Sequence, residues 1–524
     1  MKEQYFQHIR DRLYPENPQF IADRYTHIVR EQISLAVNGK LVNVDAADTE
    51  LTLSDWLRQH LRLTGTKVVC AEGDCGACTV LCAHANAGVP FSYRAIDSCI
   101  QFMHQLDGTH VITVEGLSVD DGLHPVQQAM VKHFGSQCGF CTPGFVSTLT
   151  AVAHSHATTK TQLDECVVKR ELTGNLCRCT GYQQIIEAAC SLDLQSLPSL
   201  SELYDENSIV QMLQACRDSA AVAGEEHTTW LPVSLQEAIE LRKMNPAAVL
   251  VAGATDLGVQ HNKQKLAAGD RILLSRVPEL QTVAITDTEI IIGAGVNWHD
   301  VRSAIAKDFP CFDELLDLFG SPQIRNAGTF GGNLMNASPI ADSIPFLMVT
   351  DAVLEVAGPA GTRSILIEQF YTGYKQTSLA EDEILVRVRI PRTHSGDDIQ
   401  LLKVSQRRDM DISTVTCALR LKLNGNHIEE ARVAFGGVGP IVHRLSGTEA
   451  LLCNKPMTQE LFEQAGVQAA TEVKPLSDVR GSSTYRLQLV KNALPRCAYN
   501  LFAKRNSITI AHTSTAVGTT GLRN

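Results

Sequence analysis

Eight of the sixteen cysteines fall into two groups of four, and both lie between Cys70 and Cys179. The first group reads Cys70-x4-Cys75-x2-Cys78, with Cys99 further on; the second reads Cys138-x2-Cys141, followed by Cys177-x-Cys179. Thiolates at such intervals hold metal, and the first spacing is the one expected round a plant-type [2Fe–2S] cluster. A structural zinc site is the alternative, but zinc prefers paired C-x2-C knuckles. Gly73 and Gly76 suit a tight loop round a cluster, since they tolerate positive φ and let backbone N–H groups approach sulfur. The second group stays open on spacing alone: an iron–sulfur cluster, a zinc knuckle and a thiol redox pair all fit. Its Cys177 and Cys179 sit on a short turn between helices, bounded by Gly174 and Gly181. Cys82, Cys166, Cys190, Cys216, Cys311, Cys417, Cys453 and Cys497 stand alone in apolar stretches and read as small core residues. Two clusters on one chain imply that single electrons are passed along, so a source or sink for them is expected further on.

Two glycine-rich turns could supply it. Val249-Leu-Val-Ala-Gly-Ala-Thr-Asp-Leu-Gly258 is a strand running into a turn; Ala327-Gly-Thr-Phe-Gly-Gly-Asn333 is a second turn, with Ser338-Pro-Ile-Ala-Asp342 just beyond. Backbone N–H groups with Thr, Asn and Ser side chains can cradle a pyrophosphate without a basic cluster. Neither turn matches G-x-G-x-x-G, and the nearest string, Gly293-Ala-Gly-Val-Asn-Trp298, carries Trp at the third glycine, so a Rossmann site is a poor reading. Each turn alone is an ordinary turn; beside an iron–sulfur relay, a flavin is the partner that trades in both single electrons and hydride.

The elements that must hold these residues follow from pattern. The 524-residue length demands several domains, and a formal charge of −11 argues against nucleic acid as a partner. Residues 1–30 are charged throughout and lack the apolar core of a secretory signal. No apolar run reaches the roughly 18 residues of a membrane span. Cysteine-rich composition without a signal points to a reducing compartment, the cytoplasm. The expected organisation is an N-terminal extension, 1–30, partly helical; a β-grasp ferredoxin-like domain, 31–115; a four-helix domain, 116–192, with helices over 124–134, 142–157, 161–172 and 181–192; and a linker, 193–225, with at most one helix. An α+β domain over 226–398, a second over 399–505 and a flexible tail over 506–524 complete it. Asn38-Gly39 within ISLAVNGKLVNVD marks a hairpin, and Thr52 or Ser54 is the expected N-cap of the helix that follows.

The strings EGDCGACTV (72–80), QCGFCTPGF (137–145) and GNLCRCTGY (174–182), in that order, resemble the iron–sulfur part of the xanthine dehydrogenase/aldehyde oxidase family of molybdenum hydroxylases. LVAGATDLG (250–258) and GTFGGNLMNASPIAD (328–342) resemble that family's FAD domain, and the likeness runs over roughly residues 31–505. The resemblance implies an α+β multidomain chain. Its parts would be a β-grasp [2Fe–2S] ferredoxin domain, a four-helix [2Fe–2S] domain, an FAD domain of the vanillyl-alcohol-oxidase type and a C-terminal α+β flavoprotein domain. It implies that Cys70, Cys75, Cys78 and Cys99 hold the cluster nearer the flavin. Cys138, Cys141, Cys177 and Cys179 would hold the one nearer a molybdenum cofactor, with Gln137 touching the pterin. It implies FAD contacts from Leu250, Val251, Ala252, Gly253, Ala254, Thr255, Asp256, Leu257, Phe319, Thr329, Phe330, Gly331, Gly332, Asn333, Asp342, Leu385 and Lys403.

Tyr374 and the loop 407–412 lie where family members bring NAD⁺ to the flavin or exclude it. With no molybdopterin domain in this sequence, the resemblance implies a large molybdenum-bearing partner subunit, in a heterodimer or a dimer of heterodimers. That partner would carry out hydroxylation, so no catalytic residue is expected here. This chain would pass electrons through both clusters and FAD to NAD⁺, in the oxidation of hypoxanthine and xanthine to urate. Electron-transfer parts of aldehyde, nicotinate or carbon monoxide dehydrogenases are the alternatives in the same superfamily, and a zinc-stabilised scaffold the alternative outside it. Ala71, where many relatives carry glycine, and residues 1–30 depart from the pattern without removing a ligand.

Overall fold

The hairpin expected at Asn38-Gly39 forms, because both residues take the left-handed φ values (48° and 76°) that a two-residue turn of this hand needs. It joins strands Gln32–Val37 and Lys40–Asp45, with Val37 opposite Lys40. The computed structural model describes residues 29–85, 90–118, 122–159, 161–216, 218–225, 227–392 and 397–505. The expected helix content of the N-terminal extension and the expected flexible tail lie outside those residues. The described chain divides into two compact units: residues 1–278 with 321–327, and residues 279–320 with 328–524.

In the first unit the hairpin is extended to a five-stranded sheet by Thr109–Ile112, Thr79–His84 and Arg94–Asp97; Gln32–Val37 pairs parallel with Thr109–Ile112 and every other pair is antiparallel. Helix Leu53–Gln59 packs Leu53, Trp56 and Leu57 into the same core as Ile33, Leu35, Val80 and Phe102. Thr52 is its N-cap, its hydroxyl accepting the Asp55 N–H at 3.3 Å. Four helices follow at Pro125–Lys132, Thr142–Thr159, Glu165–Glu171 and Gln183–Cys190. They close on an apolar interior of Val126, Phe145, Leu149, Val168 and Ile185.

Residues 193–225 hold more structure than a linker. Helix Leu200–Leu203 opens on a Ser199/Glu202 capping box, helix Glu206–Met212 on an Asp205 cap. Ala220–Ala223 is a buried strand in a second sheet with Val29–Arg30, Thr228–Leu231, Arg271–Leu273 and Val249–Val251. Elements of four to seven residues are too short to show a period, so only their caps betray them.

In the second unit, an antiparallel sheet runs in the order Val283–Ile285, Glu289–Gly293, Ile384–Pro391, Val353–Gly358, Gly361–Leu366. A four-stranded antiparallel sheet of Asp397–Val404, Val415–Asn424, His427–Gly436 and His443–Arg444 packs a core with helices Gln459–Glu472 and Ser483–Arg505. The mixture of helix and sheet is that of a multidomain α+β chain, as expected. Of the eight solitary cysteines, Cys216, Cys417 and Cys497 are buried as core residues, but Cys166 and Cys190 are exposed. Nor is Cys417 alone, since its thiol meets that of Cys497. Short helices leave some apolar-looking positions on the solvent side, which neighbouring residue types cannot reveal.

Among the described residues, no helix is long and apolar enough to cross a membrane. The helix Ser343–Val349, which starts directly after Asp342, is anchored by Phe346. That ring stacks on Phe312 at 3.9 Å between centroids and meets Phe309 edge-on at 5.1 Å. Replacing Phe346 by Ala should cost about 3–5 kcal/mol, read as a lowered urea midpoint for the second unit; an unchanged midpoint would show that this aromatic cluster does not hold the helix.

Candidate functional site

The loop 70–78 folds back on itself through positive φ at Gly73 (75°) and Gly76 (63°), as expected, and also at Ala71 (55°). Ala71 therefore occupies a conformation that costs a β-carbon roughly 1–2 kcal/mol, which is the physical reason glycine suits that position. The fold presents the Glu72 and Asp74 N–H groups to Cys70 Sγ, each at 3.4 Å. Cys70 also contacts the thiols of Cys75 and Cys99, and Cys78 contacts Cys99. Hydrogen bonds from Cys75 and Cys99, with those two backbone N–H groups, hold the Cys70 thiol far below its ordinary pKa. The same contacts push Cys99 far up, because two sulfurs this close cannot both ionise unaided. Asp97 Oδ1 lies 3.6 Å from Cys78 Sγ. Burial, then the neighbouring Cys78 and Cys70 sulfurs, raises its carboxyl well above the usual range.

The second group also assembles. Cys179 Sγ lies 3.5 Å from Cys138 Sγ, and Cys141 meets Cys177. Burial and the Cys177 contact push Cys141 up to about 12. At Cys177 burial opposes ionisation, but the Thr180 hydroxyl and the Thr180 and Cys179 N–H groups outweigh it and the pKa falls. Left-handed φ at Gly181 (68°) and Tyr182 (73°) turns the chain into the next helix, while the Tyr182 hydroxyl accepts the Cys177 N–H at 2.9 Å. Cys138, Cys179 and Gln137 are exposed.

Among the described residues, no three His, Cys, Asp or Glu side chains converge as they would round one ion. In the second group the sulfurs meet in two pairs; in the first, Cys70 touches Cys75 and Cys99, and Cys78 touches Cys99. Each group brings four sulfurs together, the number that two irons taking two thiolates each require, so both groups fit a [2Fe–2S] cluster.

Residues that the sequence reading passed over brace the first group. Asn262 Nδ2 reaches the carbonyls of both Ala71 and Cys99 at 2.8 Å. It lies at the end of helix Thr255–Asn262, whose Gly258 faces the Ile100 backbone where a β-carbon would not fit. The turn before that helix is tied down as well: Gln105 donates to the Ala252 carbonyl at 3.0 Å and Gln101 to the Gly253 carbonyl at 3.2 Å. So the glycine turn 252–254 and the first cysteine group are parts of one framework. The helix begins at Ala254, which has φ 54° and no side chain to cap the first N–H groups. An uncapped helix start suits a phosphate.

The second glycine turn differs. Thr329 caps helix Phe330–Met335 and takes the Gly332 N–H at 3.1 Å. Phe330 N–H is taken by Val296, Gly331 N–H by Ala294 and Asn333 N–H by Thr329. Backbone groups that the sequence offered to a pyrophosphate are thus engaged within the fold, leaving side chains as the polar contacts. Asn333 is held by the Ser343 hydroxyl at 2.7 Å. Asp342 and Lys403 form a buried ion pair at 2.7 Å, with side chains 5% and 2% exposed. The Ser413 and Thr416 hydroxyls donate to the other carboxylate oxygen, and Lys403 also donates to the Leu318 carbonyl. Phe319 lies against Trp298 at 4.8 Å, Leu385 is buried in its strand, and Tyr374 is 62% exposed. Within 407–412, Asp411 accepts the Arg407 N–H at 2.7 Å and Arg407 projects into solvent.

Comparison with known proteins agrees with these frameworks in order along the chain. The "2Fe-2S iron-sulfur cluster binding domain" matches residues 35–93 and the "[2Fe-2S] binding domain" residues 113–190. The "FAD binding domain in molybdopterin dehydrogenase" matches 223–393, and the "CO dehydrogenase flavoprotein C-terminal domain" 400–501. Xanthine dehydrogenase of Drosophila subobscura is 31% identical over 513 residues, covering 87% of this chain and 38% of its own length. Aldehyde oxidase 3 of Mus musculus is 29% identical, covering 86% of this chain and 38% of its own. The chain therefore spans well under half the length of these curated relatives. A solved carbon monoxide dehydrogenase chain from Hydrogenophaga pseudoflava is 27% identical with a TM-score of 0.50, covering 51% of this chain and 94% of that one. Two [2Fe–2S] domains followed by an FAD-binding domain and its C-terminal companion, in this order and with relatives of this kind, place the chain in the xanthine dehydrogenase/aldehyde oxidase family of molybdenum hydroxylases.

Proposed function

We propose that this chain is the electron-transfer component of a xanthine dehydrogenase, working with a large molybdenum-bearing subunit in the oxidation of hypoxanthine and xanthine and delivering the electrons to NAD⁺. The observation that carries the reading is the convergence of four sulfurs in each cysteine group, in a chain whose glycine turn 252–254 is built onto the first of them. Bound [2Fe–2S] groups supply single-electron transfer, and a bound flavin supplies the exchange between one- and two-electron chemistry.

Cys70, Cys75, Cys78 and Cys99 hold one cluster in this reading, and Cys138, Cys141, Cys177 and Cys179 the other. The Glu72 and Asp74 N–H groups at Cys70, and those of Cys179 and Thr180 at Cys177, stabilise charge on the ligating sulfurs. Leu250 to Leu257 with Phe319, Thr329 to Asn333, Asp342, Leu385 and Lys403 hold FAD, the uncapped helix start at Thr255 serving the pyrophosphate. Tyr374 and the loop 407–412 decide access of NAD⁺. Domain limits at 31–115, 116–192, 226–398 and 399–505 belong to the same reading. The match to a xanthine dehydrogenase over most of this chain supports the purine substrate. Aldehyde oxidase and carbon monoxide dehydrogenase relatives supply the competing reading.

Three outcomes are expected. Changing Cys177 to Ser removes one of two reduced-cluster EPR signals and leaves flavin content unchanged; survival of both signals would take Cys177 out of the ligand set. Changing Asn333 to Ala, or Lys403 to Met, lowers flavin per chain while iron is kept. The lysine change also costs about 3–5 kcal/mol, since it strands a buried carboxylate, and equal loss of iron and flavin would point to unfolding rather than to a flavin site. The native complex, copurified through this chain, contains molybdenum and reduces NAD⁺ with hypoxanthine or xanthine. Turnover with aldehydes alone would sink the purine assignment and keep the relay.

A further inference from the structure

Seven residues, Ser321–Ala327, leave the second unit's stretch of chain and belong to the first unit. On one side in sequence stands Phe319, on the other Thr329 to Asn333, so the segment interrupts the residues assigned above to the flavin. Within the first unit it is the meeting point of three parts. Ile324 packs against Cys78, Cys99 and Ile100, and Asn326 donates to the Ala95 carbonyl at 2.9 Å. Gln323 is wholly buried. Its two amide N–H groups are shared among Asn175 Oδ1 at 3.0 Å, Thr148 Oγ1 at 3.1 Å and Thr79 Oγ1 at 3.3 Å.

Each of those oxygens belongs to a residue near a cysteine group. Thr79 follows Cys78, and its hydroxyl donates to the Gly76 carbonyl inside the first cysteine loop. Asn175 stands two residues before Cys177, and its own amide reaches that same Gly76 carbonyl at 3.1 Å. Thr148 lies on the helix that begins directly after Cys141. Gly174 approaches so closely that a β-carbon there would strike Gln323 Oε1, a buried oxygen with no hydrogen-bond partner. One amide thus joins both cysteine loops, alongside the Asn175 amide at the Gly76 carbonyl and the Leu176 N–H, which donates to the Cys75 carbonyl at 3.0 Å.

We propose that Gln323 is a positioning residue that sets the spacing between the two cysteine groups. A buried amide suits this task. Its hydrogen bonds are directional, and a partner left unsatisfied in the interior costs about 1–3 kcal/mol, so the three oxygens hold it in one place. The proposal rests on the reading that both groups carry [2Fe–2S] clusters.

The test is made on the full chain with iron and sulfide in place, reduced with dithionite, by the magnetic splitting between the two cluster EPR signals. Gln323→Leu is expected to keep iron, acid-labile sulfide and both signals while the splitting narrows. Thr148→Val, which removes one acceptor at almost constant volume, is expected to shift it in the same direction by less, and it decides the matter alone should the leucine variant fail to fold. An unchanged splitting with both signals present overturns the proposal, as does loss of a single cluster, which would make Gln323 a stabiliser of one site. Wild-type chain without acid-labile sulfide would instead overturn the iron–sulfur reading on which the proposal rests.

Discussion

Sulfurs that repel one another as thiolates are held in contact in both cysteine groups, and the surrounding structure is arranged to make that tolerable. Cys70 touches both Cys75 and Cys99, and Cys138 touches Cys179, so each group gathers sulfurs that could not all ionise unaided. Backbone N–H groups point at the Cys70 and Cys177 sulfurs, which places positive dipole beside them. The loops that do this have almost no apolar side chains to bury, so they cannot hold their own shape. They borrow it from neighbours: Asn262 at Ala71 and Cys99, Tyr182 at Cys177, Gln323 at Thr79 and Asn175.

That borrowing explains the first unit's composition. A helix following the turn 252–254 serves the cysteine loop at its far end and the turn at its near end. The glycine at position 258 makes this possible, because any larger residue would push the helix off the Ile100 backbone. The second unit works differently. Its polar centre is the Asp342–Lys403 pair with Ser413, Thr416 and the Leu318 carbonyl. A buried pair of this kind is weak evidence of stability and better evidence that groups must stand in a fixed place.

The two glycine turns carry a lesson about residue type. Both read as phosphate cradles by composition, yet their backbone donors differ. At Ala254 the chain starts a helix with nothing to cap it; at Thr329 the hydroxyl caps the helix and neighbouring carbonyls take the remaining N–H groups. Glycine content shows where backbone can approach a ligand, whereas the fold decides whether its donors are still free.

Chain order alone was enough to sort the eight cysteines into two groups of four, to mark the Asn38-Gly39 hairpin and the four helices near the second group, and to narrow a cap to Thr52 or Ser54, because each depends on spacing or on local backbone preference. The short elements between 193 and 225 escaped because four to seven residues show no period, and the exposed Cys166 and Cys190 because flanking apolar residues do not say which face of a short helix meets solvent. Tertiary structure decided what lies far apart in sequence: Asn262 against Ala71, Gln105 against Ala252, and Gln323 against Thr79, Thr148 and Asn175. Such contacts pair ordinary amides with carbonyls and hydroxyls, which every sequence holds in plenty. Only the folding of distant segments onto one another selects the few that meet.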